Sequence, residues 1–109
     1  MPQIDIDQLA TRLETGDGHL LDVRRPDEWD EAHIAQASLI TLDELPDRLD
    51  ELPTDRQVLI VCRSGGRSAL ASEILIGAGL DAVNVEGGML AWLDSGRDVL
   101  TGDDGAPRA

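Results

Sequence analysis

Apolar residues recur along this chain in two alternating rhythms, a spacing of three to four and short uninterrupted runs. Ile6, Leu9, Ala10 and Leu13 share a helical face, with Asp5 or Asp7 placed to cap its start and Gly16 or Gly18 to end it. His19-Leu20-Leu21-Asp22-Val23 then reads as a strand, and Pro26-Asp27-Glu28-Trp29 opens a helical turn with proline early and acids near its positive end. Ala37-Ser38-Leu39-Ile40 predicts a short strand. Leu42, Leu45, Leu49 and Leu52 predict a helix from Leu42 to Leu52, provided that Pro46 lies in its first turn. Val58-Leu59-Ile60-Val61 is an unbroken apolar run, the pattern of a parallel strand covered on both faces and the candidate for the central one. Ala71, Ile74, Leu75 and Ala78 predict an amphipathic helix stopped by Gly77 and Gly79. Ala82 to Val85 gives a last strand, Gly87-Gly88 a turn, and Met89 to Leu93 a closing helix with Trp92 inward.

Short strands alternating with helices predict an α/β fold, an open, mainly parallel central sheet with helices on both faces. No internal repeat or long linker interrupts it. With 109 residues, one domain over residues 1–100 is expected, followed by a flexible tail over 101–109, with fraying from Gly96 onward. Ligands of such sheets gather where strands end and helices begin. The segment Cys62-Arg63-Ser64-Gly65-Gly66-Arg67-Ser68 occupies one such junction.

Composition adds constraints. Hydrophobic residues make up 41%, yet Phe and Tyr are absent and only Trp29 and Trp92 are aromatic, so Leu, Ile, Val and Ala must build the core. The single cysteine cannot form an internal disulfide, no export signal is visible, and no apolar run approaches the roughly 20 residues that span a bilayer. A soluble cytoplasmic protein is expected. The net charge is -13 and all nine basic residues are arginine, which disfavours nucleic acid and anionic membranes as partners. The acidity fits solubility or a salty environment, or a basic partner. It also makes two arginines close behind the only cysteine informative.

A lone cysteine after a buried strand is more often a small core hydrophobe than a nucleophile. Its neighbours reverse that reading. Ser64-Gly65-Gly66 lets the backbone curl so that successive N–H groups turn inward, and the following helix adds its positive end, forming an anion cradle. A thiol of pKa about 8.5 is only about 3% thiolate at pH 7. Lowering that pKa by about two units takes about 2.7 kcal/mol, and a helix end supplies about 0.3 to 2 kcal/mol. Loop amides, with help from arginine, must supply the rest. Cys62 is thus the candidate nucleophile. Arg63, Ser64, Gly65, Gly66, Arg67 and Ser68 are the candidate substrate-binding residues, although the arginines also fit solvated surface charge and the serines helix caps. No metal or cofactor is called for.

Three segments resemble the rhodanese family of sulfurtransferases, specifically its small single-domain members. Asp22-Val23-Arg24 with Glu28-Trp29 and Ala32-His33-Ile34 is similar to the family's first signature. Cys62 to Ser68 is similar to its active loop, and Glu86-Gly87-Gly88-Met89-Leu90-Ala91-Trp92 to its closing one. The resemblance implies that Cys62 takes the outer sulfur of thiosulfate or a related donor, releasing sulfite, and passes it from a persulfide to cyanide or to a thiol, whether of a small molecule or of a protein partner. Ala32 stands where the family usually has Gly, and Ala35-Gln36-Ala37 departs from the usual Gly-Ala ending, which bears on local turn geometry. Asp22, Arg24 and His33 are read as structural: a strand-end hydrogen bond, an ion pair with Glu28 and a buried imidazole.

Two rivals remain. Cysteine phosphatases and arsenate reductases have a similar strand, cysteine loop and helix, but usually place five residues between cysteine and arginine; here four separate Cys62 from Arg67. A regulatory binding module with vestigial chemistry commonly lacks the cysteine.

Overall fold

The structure, a computed structural model, describes residues 2–102. Five strands form one all-parallel sheet: β1 (Gln3–Ile4), β2 (His19–Asp22), β3 (Ser38–Leu39), β4 (Val58–Val61) and β5 (Ala82–Val85), in the order β1-β5-β4-β2-β3. The apolar run at Val58 is indeed the centre. Register aligns Asp22 with Val61 and Asn84 with Ile60, which brings the ends of the inner strands to one edge. β1 escaped the sequence reading because two residues carry no periodicity; it is held by its pairing with β5.

Alternation along β4 divides the core. Leu59 and Val61 face a layer containing Leu9 of helix α1 (Ile6–Thr15), Trp29 of α2 (Pro26–Glu31), and Met89 and Trp92 of α4 (Gly88–Asp94). Val58, Ile60 and Cys62 face the other layer, where Ala71 and Leu75 of α3 (Gly66–Gly77) pack with Leu45 and Leu52. Both tryptophans therefore lie on one side of the sheet. The cysteine lies on the aliphatic side, so its position is set by strand pleating before any loop chemistry enters.

α1 starts at Asp5, whose side chain accepts from the Gln8 amide in a reciprocal capping box, and stops at Gly16 in the left-handed conformation. The helix expected from Leu42 to Leu52 does not form. Two 3₁₀ turns, Leu45–Asp47 and Leu49–Glu51, replace it. Pro46 lacks the N–H a longer ladder needs, and Arg48, at φ -125° and ψ 18°, breaks the helical path between the turns. The leucine spacing still does its packing work: Leu45 and Leu52 are buried.

The fraying expected beyond Gly96 is also corrected. The Asp98 carbonyl accepts from Trp92 Nε1, Leu100 pairs with His33 through two backbone hydrogen bonds, and the Gly102 amide donates to the Asp30 carbonyl at 2.7 Å. Polar composition suggested a loose end, but its backbone groups found partners on α4, on α2 and in the loop after α2. From Asp103 on, the expected tail lies outside the described residues.

Candidate active site

Cys62 follows β4 directly and is 1% exposed. The chain then curls through Gly65, whose φ of 114° is open to glycine and strained for other residues, and enters α3 at Gly66. This curl turns donors onto the sulfur. The Gly65 amide lies 3.1 Å from Sγ, and the Ser68 hydroxyl oxygen lies 3.2 Å from it. Burial pushes the Cys62 thiol up; the Ser68 hydroxyl and the amides of Ser68, Gly65 and Ser64 together outweigh burial, and the net direction is down. The loop therefore stabilises the thiolate by hydrogen bonding.

The six residues after the cysteine divide by function of position. Gly65 and Ser64 supply amides, and Ser68 supplies both an amide and a hydroxyl. Gly66 opens the helix, with no atom within 4 Å of where a Cβ would stand. Arg63 is exposed beside a cavity of about 200 Å³ that also meets Glu28, Met89 and Leu90. Arg67 is committed elsewhere: its guanidinium forms a two-pronged pair with Glu28, Nη1 to Oε1 at 2.5 Å and Nη2 to Oε2 at 2.8 Å. The hydrogen bonds from Arg67 pull the Glu28 carboxyl down to about 2, so the pair is ionised throughout the neutral range.

Arg24 does not pair with the Glu28 carboxylate as expected. Its guanidinium donates to both Asp22 oxygens and to the carbonyls of Glu28 and Ala32. The short strand-end spacing lets Arg24 fold back on Asp22, leaving Glu28 for Arg67. His33 is a buried imidazole, as expected, with Nδ1 2.8 Å from the Trp29 carbonyl and its ring stacked on Trp29.

Two contributors were not singled out from the sequence. Asn84 of β5, 4% exposed, accepts the Ser68 hydroxyl at 2.5 Å. Its signal was a lone amide inside the run Ala82-Val83-Asn84-Val85, where a buried polar group demands a partner. Gly88 is the other. A Cβ there would lie 2.4 Å from the Cys62 carbonyl oxygen and 2.7 Å from that of Arg63, so only glycine lets α4 press against the loop.

A larger cavity of about 480 Å³, between Leu13, Gln36, Trp92 and Arg97, contains no residue of the Cys62 loop. Convergence of donors, rather than volume, marks the site. Among the described residues no cluster of three or more His, Cys, Asp or Glu is placed to hold a metal ion, and no helix is long and apolar enough to cross a membrane.

A parallel α/β sheet whose central strand delivers a cysteine into a ring of backbone amides defines a class of cysteine-loop proteins with an anion cradle. Within that class, the rhodanese-like domain matches residues 5–95 of the chain. A sulfurtransferase of Allochromatium vinosum is 38% identical over 100 residues, covering 90% of this chain and 94% of that protein. The thiosulfate sulfurtransferase GlpE of Vibrio cholerae is 30% identical, covering 82% and 85%. The crystal structure of a rhodanese-like domain protein from Staphylococcus aureus superposes with a TM-score of 0.80 at 38% identity, covering 100% of this chain and 99% of that one. The chain belongs to the rhodanese-like domain family, and these relatives support sulfur transfer as its general chemistry.

Proposed function

We propose that the protein is a thiosulfate sulfurtransferase in which Cys62 carries the sulfur. The Cys62 thiolate attacks the outer sulfur of thiosulfate or a related sulfane donor. The S–S bond of the donor breaks, sulfite leaves with the bonding electron pair, and Cys62 becomes a persulfide. Cyanide or an acceptor thiolate then attacks the outer sulfur of the persulfide, taking it as thiocyanate or a new persulfide and returning Cys62 as thiolate. The acceptor thiol is carried by a small molecule or a protein. A single free thiol of this kind works in a reducing compartment, consistent with the cytoplasm.

The observation that carries this reading is the set of donors turned onto Sγ, which lowers the thiol's pKa against the effect of burial. The same donors stabilise a thiolate, a persulfide anion and the incoming anionic donor. Residues 63 to 68 form the anion site through their backbone more than through charge, because Arg67 is already neutralised by Glu28. Arg63 supplies attraction at the rim.

Mass spectrometry after incubation with thiosulfate tests the proposal. One added sulfur, removed by cyanide or reductant and absent from Cys62→Ser, is expected. Wild-type protein that gains no sulfur but hydrolyses an aryl phosphate would show the phosphatase rival to be right.

A further inference from the structure

The Ser68 hydroxyl has one hydrogen and two claimants. Cys62 Sγ lies 3.2 Å from Ser68 Oγ on one side, and Asn84 Oδ1 lies 2.5 Å from it on the other. All three residues are buried, at 1%, 0% and 4% exposure for Cys62, Ser68 and Asn84. Buried polar groups must satisfy one another.

A protonated Cys62 fits the arrangement as it stands. The thiol donates to Ser68 Oγ, Ser68 donates to Asn84 Oδ1, and Asn84 Nδ2 donates toward Gln3 Oε1 at 3.4 Å. Once Cys62 loses its proton, the sulfur becomes an acceptor only and needs the Ser68 hydrogen. Ser68 Oγ then needs a donor from its other neighbour. Asparagine alone among residues of this shape supplies one by turning its amide over, since its oxygen and nitrogen ends are interchangeable in space. Gln3 is exposed and stands opposite Asn84 in the register of β1 and β5, so it can turn its own amide to match.

We propose that Asn84 is a positioning residue that reverses the direction of the Ser68 hydrogen bond as Cys62 passes between thiol and anion. The inference rests on the reading of Cys62 as sulfur carrier and goes beyond it. Aspartate has the same shape but, when ionised, only accepts, so Asn84→Asp holds the Ser68 hydrogen away from the sulfur and disfavours the thiolate. The native charges around the sulfur are Arg67, whose charge acts on Cys62, and Asp22 and Glu28, whose charges act on Arg67. Asn84→Asp adds one more negative charge, which acts in the same direction, so the amide signals of the unsubstituted protein report the reversal itself.

Two measurements test it. The pH profile of Cys62 alkylation by iodoacetamide should move to higher pH in Asn84→Asp, with the rate near neutrality falling about tenfold, one unit of displacement. In the wild type, the Asn84 side-chain amide signals in nitrogen-15 NMR should titrate with the midpoint of Cys62 alkylation, and stay still in Cys62→Ser. An unmoved profile in a folded Asn84→Asp protein, or amide signals indifferent to Cys62 ionisation, would overturn the proposal. The NMR arm needs no Asn84 variant to fold. Neither arm uses thiosulfate: if Asn84 follows the thiol but no sulfur is gained, the functional reading alone fails, and if sulfur is gained while Asn84 is silent, this inference alone fails.

Discussion

β4 and β5 each hand over to a helix through a left-handed glycine, Gly65 at φ 114° and Gly87 at φ 81°, with no side-chain cap at either helix. Both junctions leave amides unpaired by their own helix, as every helix start does. At the first junction the loop and helix-start amides of Ser64, Gly65 and Ser68 turn onto a sulfur. At the second, the helix-start amides turn onto the first loop: Met89 N donates to the Cys62 carbonyl at 2.8 Å and Leu90 N to the Arg63 carbonyl at 3.0 Å. One junction is left open for chemistry and the other is spent on bracing it. The difference shows why two glycine-bearing segments far apart in sequence form one site: the second fixes the carbonyl side of the loop, so that its amide side stays aimed at Cys62.

The sharpest way to break this comparison is to place the same methyl group at each junction. Gly88→Ala puts a Cβ against the Cys62 and Arg63 carbonyls, in a backbone with φ of +56°, and must displace the loop. Gly66→Ala meets nothing within 4 Å and has no left-handed φ. Urea unfolding should show Gly88→Ala losing about 2 to 4 kcal/mol, with sulfur uptake from thiosulfate abolished. Gly66→Ala should stay within about 0.5 kcal/mol of the parent or gain slightly. Equal losses at the two positions would mean that the second junction does not brace the first.

Sequence patterning made much of this visible. Val58 to Val61 announced a strand covered on both faces, and the glycines after Cys62 announced a tight curl, because both depend on local chemistry. The bracing was legible only as a Gly-Gly turn, since nothing in Gly87-Gly88 says which carbonyls it will approach. Arg67 read as substrate attraction for the same reason. Its partner Glu28 lies 39 positions away, and only the fold brings them together. The leucines from Leu42 to Leu52 carried correct burial with incorrect helix, a case where periodicity survived and Pro46 and Arg48 decided the backbone.

A smaller change sharpens the chemical half of the comparison. Ser68→Ala removes the hydroxyl that can donate to the Cys62 thiolate, the one side chain hydrogen-bonded to Sγ among the described residues, while leaving the amides of Ser64, Gly65 and residue 68 in place. The alkylation profile of Cys62 should move to higher pH, and the rate near neutrality should fall about tenfold, the worth of one hydrogen bond to a charged group. A larger loss, approaching that of Gly88→Ala, would show that the amide cradle itself depends on the Ser68 hydroxyl.

The mildest substitution asks whether charge or backbone holds the anion. Glu28→Gln leaves shape unchanged but frees the Arg67 charge, which is now paired two-pronged and partly buried. If backbone amides dominate, the KM for thiosulfate should fall only a few-fold as the freed guanidinium adds attraction, with kcat little changed. Stability should drop by about 1 kcal/mol through loss of the charge-assisted bonds. The pH dependence separates that loss from other damage. Glu28 has its folded-state pKa depressed to about 2 from a reference of 4.5, so its contribution is present above the reference value and is lost as pH falls toward the folded one. Wild type and Glu28→Gln should therefore converge in unfolding free energy between pH 4.5 and about 2. A gap that persists at the acid end would assign the loss to packing, and a fall in KM of a hundredfold would move the anion site from the loop backbone to Arg67.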